Sequence, residues 1–222
     1  MRFDPKRRKY VDERGRVLSA RQIKKEIEDY VALEEERVER EAAKFAAGAI
    51  TVAGFFLYME NKIEAWHKVA GAVAYGGRIR MDARRDARIE RIIKSEQSYL
   101  AAFRSEVATL SAEGIVNRAG MYPNAAYATY ENQLIQRESD NGVTLGRRII
   151  EDDGQSCEGC IASATEEFIP LDDIPEIGSQ ECISRCRCEI EFQIGDTEFR
   201  PSEIFTGVIG GQDQYGGGVE IN

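Results

Sequence analysis

The chain is expected to be mainly α-helical, with a small cysteine-rich α+β module near its C-terminus and extended arms at both ends. Three observations predict this. From Ser19 to Glu138 apolar residues recur at steps of mostly three or four. All five cysteines fall within 32 residues, Cys157 to Cys188. At the turn signal Asp140-Asn141-Gly142 the long helical stripes give way to short β-like stretches. The totals agree: 222 residues with 42% hydrophobic and 31% charged side chains suit one main body with appendages. A formal charge of -9, from 39 acidic and 30 basic residues, makes the chain a poor general nucleic-acid binder, although local basic stripes are not excluded.

Residues 1–17 form the first segment, a basic N-terminal arm read as mobile or partner-bound, with Lys6-Arg7-Arg8-Lys9 as its compact patch. It has no apolar stretch of the kind that follows the basic start of a secretory signal. Residues 18–77 read as a long helical segment running from charged to apolar. Ser19 is a candidate cap, and Ile23, Ile27, Val31, Val38, Ala42 and Phe45 make a narrow seam on a charged helix. The seam opens into Phe45–Met59, which is apolar on every side but, at 15 residues, short of the ~20 needed to cross a bilayer as a helix. A helix buried within the chain or against another subunit is expected there, and no membrane span. Trp66 and His67 are the only Trp and His in the chain; His67 is expected on a helix surface with no catalytic role. Gly76-Gly77 ends the segment.

Residues 78–140 read as a helical core. Ile89, Ile92, Ile93, Leu100, Phe103, Val107 and Leu110 keep one stripe. The first half carries seven cations, Arg78, Arg80, Arg84, Arg85, Arg88, Arg91 and Lys94, against Asp82, Asp86 and Glu90. These seven are candidate contacts for nucleic acid or an acidic partner, weighed against a solvated face laced with i,i+4 ion pairs, which is favoured. Ser111 is a candidate cap for a further helix, within which Pro123 should mark a start or a kink. Tyr122, Tyr127, Tyr130, Leu134 and Ile135 give it a core face. Residues 141–200 form the cysteine module, with β-like stretches "RRII", "EEFIPL", "RCEIEFQI" and "TEFR"; residues 201–222 form a Gly-rich tail.

The cysteines run Cys157-x2-Cys160, then 21 residues, then Cys182-x3-Cys186-x-Cys188. Two thiolates at C-x2-C spacing can turn onto one tetrahedral ion, and any two of the later three could complete a four-sulfur site. A structural zinc site is therefore expected, in a reducing, cytosol-like compartment. Disulfides are the alternative and would leave one cysteine over. A redox Cys157/Cys160 pair ranks third, because its acidic, turn-like surroundings would not lower a thiol's pKa. The acids Glu151-Asp152-Asp153 cannot all face one ion, and G-x-S-x-G and P-loop patterns are absent. No enzymatic activity is expected.

Read together, Asp152-Asp153, Cys157 and Cys160, Phe168-Ile169-Pro170-Leu171-Asp172, Pro175 and Cys186-Arg187-Cys188 resemble the C-terminal motif of the Mu F-like minor head proteins of tailed phages. The resemblance covers about residues 112–192. That family often has His-Pro-Asn before Cys-Arg-Cys. Here Ile183-Ser184-Arg185 stands there, and Cys182, one residue earlier, is the candidate replacement for the histidine. The resemblance implies a non-catalytic virion component of the head, made in the host cytoplasm. It would act in head assembly near the portal, oligomeric in the particle, through contacts with portal or major capsid protein and possible contact with packaged DNA. A zinc-dependent nucleic-acid-binding protein is the alternative.

Overall fold

Four polar side chains begin four long helices by satisfying backbone N–H groups that have no partner inside the helix. Ser19 Oγ accepts from Gln22 N, and the Gln22 side chain accepts from Ser19 N at 2.8 Å, a reciprocal capping box that starts α1 (Ala20–Ala46). Thr51 Oγ1 accepts from Gly54 N at 3.1 Å and starts α2 (Val52–Ala74). Asp82 caps α3 (Ala83–Glu106), and Ser111 caps α4 (Ala112–Asp140). The computed structural model describes residues 1–4, 9–150, 157–179, 188–194 and 197–199. The chain is mainly helical with a small sheet-containing module near its C-terminus, the expected class.

The apolar run 45–59 is not one helix. Gly48, at φ 74°, turns the chain where a side chain would be strained, and Thr51 restarts it. Phe45 on α1 thereby folds back onto Phe55 on α2, ring centroids 4.8 Å apart. Phe55, Phe56 and Met59 are buried within the chain's own core, whereas Val52 and Leu57 stay exposed near the turn. No helix among the described residues is long and apolar enough to cross a membrane.

The α1 seam of Ile23, Ile27, Val31, Val38 and Ala42 is buried, chiefly against α4. From α2 come Phe55, Phe56, Met59, Ile63, Trp66 and Ala70, from α3 Leu100 and Phe103, and from α4 Tyr122, Tyr127, Tyr130 and Leu134. Gly71 permits the close approach of α2 and α3: a Cβ there would sit 2.4 Å from Ile89 Cδ1. Pro123 lies inside α4 rather than at its start. The missing N–H and the bulk of the ring fall next to Ala119 and Gly120, which are small, and Asn124 Nδ2 donates to the Gly120 carbonyl at 3.1 Å. Packing of Tyr122 and Ala126 on either side holds the helix through the proline.

His67 is fully buried, not on a helix surface. It lies at the α2–α4 contact, with Nδ1 2.8 Å from Thr129 Oγ1, and burial pushes its pKa down to about 4. The ring stays neutral and fills space between the helices. Two further bonds set the same register: Tyr75 Oη donates to Gln133 Oε1 at 3.3 Å, and Arg137 Nη1 donates to Ala74 O, the end of α2, at 2.8 Å.

Between α3 and α4, Glu96 is part-buried near Arg118. Burial pushes its carboxyl up to about 7, and the Arg118 charge opposes this only in part. A folded-state pKa above the ordinary 4.5 means that the folded chain holds an extra proton between those values. Stability is thus greatest below about 4.5 on this account and falls as pH rises through about 7. Glu96→Gln should remove that slope and stabilise the protein at pH 8 by roughly 2 kcal/mol. Urea unfolding at pH 5 and 8 reads it; equal pH dependence in both proteins contradicts the assignment.

The N-terminal arm is extended in backbone, but its strands are paired rather than mobile. β1 (Arg2–Asp4) runs antiparallel to β2 (Lys9–Val11), with Tyr10 and Val11 buried. Lys6, Arg7 and Arg8 and the tail 201–222 lie outside the described residues. After α4, Asn141 and Gly142 turn the chain into a four-stranded antiparallel sheet. β4 (Ile169–Pro170), β3 (Leu145–Ile149), β5 (Glu189–Ile194) and β6 (Thr197–Phe199) lie in that order. Each of the four stretches read as β-like contributes one strand. The short helix α5 (Glu158–Ser163) completes the module. Its second core, Val143, Leu171, Ile174, Ile177, Ile190 and Phe192 with Cys160 and Cys188, also receives Ala128 and Ile135 of α4. Asn132 bonds both backbone groups of Ile177, at 2.8 and 2.9 Å, and Lys24 of α1 pairs with Glu189 of β5. The module is therefore seated on α4 and α1.

Candidate functional site: the cysteine module and the arginine stripe

Three of the five cysteines lie in the described residues, and they share one core. Cys157 caps α5, its Sγ accepting the Cys160 N–H at 3.4 Å. Cys160 faces inward from the first turn of α5, and Cys188 enters β5 from the far side of a 27-residue interval. Cys160 and Cys188 are both buried. No disulfide joins any two of Cys157, Cys160 and Cys188. Cys182 and Cys186, and the acids Glu151 to Asp153, lie outside the described residues.

Strand alternation explains a feature that sequence reading passed over. Arg147 and Arg148 are consecutive on β3, so they point to opposite faces. Arg147 turns out and pairs with Glu191 at 2.5 Å, its guanidinium 4.6 Å over the Phe168 ring. Arg148 turns in and is 1% exposed. Its Nη1 donates to Cys160 Sγ at 3.8 Å, and its Nη2 donates to the carbonyls of Pro175 and Glu176. The signal in the sequence was "GRRII": an alternating strand in a half-buried sheet must put one of two adjacent arginines inside. Gly146, just before them, leaves room for Leu171, whose Cδ2 a Cβ would approach to 2.7 Å.

The donor set suits a soft divalent ion in its chemistry: sulfur donors, low water access and a cation facing one sulfur. Among the described residues, no three His, Cys, Asp or Glu side chains converge closely enough to hold an ion by themselves. Cys157 does stand at a helix start, the setting a redox pair requires, but α5 has only six residues and Cys160 is buried.

The arginine stripe divides. Arg84, Arg85 and Arg88 all turn to Asp140, the last residue of α4; Arg88 contacts both carboxylate oxygens, at 3.1 and 3.2 Å. Arg88 also donates to Tyr75 Oη at 2.9 Å, and Arg85 lies 4.5 Å over the Tyr75 ring. These contacts fasten the start of α3 to the ends of α2 and α4. Arg88 pairs through the fold with Asp140 rather than along its helix, whereas Arg85 Nε lies between Asp82 at 3.7 Å and Asp140 at 3.9 Å. Arg80 lies in a single 3₁₀ turn with Arg78, and its carbonyl accepts from Arg85. Arg78, Arg91 and Lys94 are exposed. Comparison with protein-family models, curated proteins and solved structures finds no match, so the reading of this site rests on its own geometry and on the sequence motif.

Proposed function

We propose that the chain is a structural component of a tailed-phage virion, a minor head protein that acts in head assembly near the portal through protein contacts. The observation that carries this is the packing of the motif. Cys157, Cys160, Ile169, Leu171 and Cys188, spread over 32 residues, meet in or against one small core. Pro175 gives its carbonyl to Arg148 in the same core. Several of the residues that make the resemblance thus help to build the module among the described residues, which supports a shared fold unit over a chance string. The uncharged turn between α1 and α2, with Val52 and Leu57 exposed, suits a protein that works inside an assembly. Its partners are the portal or major capsid protein, several copies act in each particle, and synthesis in the host cytoplasm precedes incorporation into the head. The role is not enzymatic.

Quantitative mass spectrometry of purified virions and tailless heads, from a phage whose genome encodes this chain, tests the reading. It should be present in both, at low copy number relative to the major capsid protein; absence from both sinks the proposal. The nucleic-acid alternative has less support, because Arg84, Arg85 and Arg88 already serve Asp140. It would require duplex binding that weakens steeply with salt and with Arg91→Glu plus Lys94→Glu, two exposed positions.

A further inference from the structure

One end of the helical bundle is built from uncharged chain. The connection from α1 to α2 runs through Phe45–Met59 and the connection from α3 to α4 through Val107–Ala112, and neither stretch contains Asp, Glu, Lys, Arg or His. The two connections lie at the same end, because Phe103 in the last turn of α3 meets Phe55 and Phe56 in the first turn of α2, ring centroids 6.5 and 5.4 Å apart. Ala47, Ala49, Val52, Leu57 and Ala108 are exposed there, Leu57 by 58%. Phe45, Ile50 and Leu110 are half-buried behind them, packed on the core. The backbone of the first turn meets its own needs: the N–H groups of Ala47, Gly48 and Ala49 donate to the carbonyls of Ala43, Phe45 and Lys44, and Gly54 N donates to Thr51 Oγ1. On the second connection Leu110 N donates to Val107 O, Thr109 Oγ1 to Glu106 O and Gly114 N to Ser111 Oγ.

An exposed apolar patch marks a contact with protein or with a membrane. Three features favour the membrane. Protein interfaces draw most of their binding energy from Trp, Tyr and Arg anchors and are depleted in Ala, whereas the exposed residues of the α1–α2 turn are Ala, Gly, Thr, Val and Leu. Backbone groups bonded within the chain can leave water without the cost that keeps open loops out of lipid. The dimensions also fit. From Lys44 to Gly48 and from Thr51 to Glu60 the chain rises about 6 and 13 Å along its helices. An element held at a bilayer surface enters the headgroup and acyl boundary by ~5–10 Å. No helix among the described residues is long enough to go further and cross. The charges that ring the patch, Lys44 and Arg104 with Glu60, Glu106 and Glu113, have both signs, so the attraction is apolar and not electrostatic. We propose that this end of the bundle is a membrane-contacting surface that inserts into one leaflet of a phospholipid bilayer, led by Val52 and Leu57. Tyr58, half-buried with Lys62 Nζ 5.9 Å from its ring centroid, stands behind Leu57 at the level of the headgroups. The proposal goes beyond the virion reading and does not rest on it: copy counting in particles and vesicle binding can fail separately.

Flotation of the full chain with phosphatidylcholine vesicles, and with vesicles that also contain phosphatidylglycerol, tests this. The chain should float with both, at low and high salt alike. Val52→Asp plus Leu57→Asp should lower the partition coefficient roughly tenfold or more. Val69→Asp, at an exposed apolar position near the other end of α2, should leave it unchanged. A chain that stays in the soluble fraction, equal binding by the double variant, or binding that needs phosphatidylglycerol and disappears in salt each overturns the proposal. So does self-association that the double variant loses while vesicles are ignored, since the apolar end would then belong to a second copy. Circular dichroism checks that the double variant folds. Should it not, Leu57→Trp and lipids brominated on their acyl chains decide. Quenching beyond that of the unaltered chain, whose Trp66 is buried, is expected, and its absence overturns insertion.

Discussion

Glu34→Ala is expected to lower the free energy of unfolding by about 3 kcal/mol at neutral pH, because it empties a buried acceptor serving three donors. Glu34 is 2% exposed and sits on the α1 seam, one helical turn from both Val31 and Val38. It accepts from Trp66 Nε1 at 2.9 Å and Lys62 Nζ at 2.6 Å, both on α2, and from Arg37 on α1. Lys62 and Arg37 can turn to water when the carboxylate is removed; the Trp66 N–H, fully buried, cannot. Trp66→Phe should therefore cost less, about 1–2 kcal/mol, and the double variant less than the sum of the two. The pH dependence has a definite sign. Burial works to raise the Glu34 carboxyl, and the bonds from Lys62, Trp66 and Arg37 outweigh it, leaving the pKa below the ordinary 4.5. This stabilisation is present above about 4.5 and is lost as pH falls through the folded value, so the gap between native and Glu34→Gln proteins should narrow in acid. Denaturant unfolding at pH 7 and pH 3 measures both effects; a gap that widens in acid contradicts the network.

Phe103→Ala should be more damaging still, about 4 kcal/mol. Phe103 is wholly buried, with ring centroids 5.4 Å from Phe56, 6.5 Å from Phe55 and 6.3 Å from Tyr122. It is the point where α3 reaches both α2 and α4. Its loss leaves a ring-sized cavity lined by Phe55, Phe56 and Tyr122. Amide exchange should then accelerate throughout α3 before the rest of the helical core opens. Tyr99→Ala, one turn away but 56% exposed, should change stability by less than about 0.5 kcal/mol. Similar losses at the two positions would mean that α3 is not anchored through Phe103.

Much of the architecture was legible before any coordinates. Ser19 and Ser111 begin helices because a hydroxyl before an apolar-periodic stretch can take up orphan N–H groups, a local effect. Gly76-Gly77 and Asn141-Gly142 end helices through positive φ, at 80°, 112° and 92° for the three glycines, which is also local. The alternating stretches after Gly142 become strands, and the stripe residues become core. Where the reading failed, a distant partner had intervened. The run 45–59 contains no charge to mark its break; Gly48 and the Thr51 cap make the turn, and the return of Phe45 onto Phe55 fixes it. Pro123 was read by its local penalty, which the packing of Tyr122 and Ala126 overrides. His67 looked like a surface residue among its sequence neighbours and is buried by α4.

The same division runs through the candidate site. Residue types and their spacing determined by themselves that the cysteines would be confined to one small module, that helices would precede it, and that Ser19 and Ser111 would start two of them, because caps, turns and side-chain periodicity act over a few residues. Only the tertiary structure decided that Arg148 faces Cys160 with no carboxylate beside it among the described residues, that Arg84, Arg85 and Arg88 belong to Asp140, and that Glu34 is a buried acceptor. Charge pairing and burial depend on which elements meet in space, and nothing in a side chain's own neighbourhood along the chain records that.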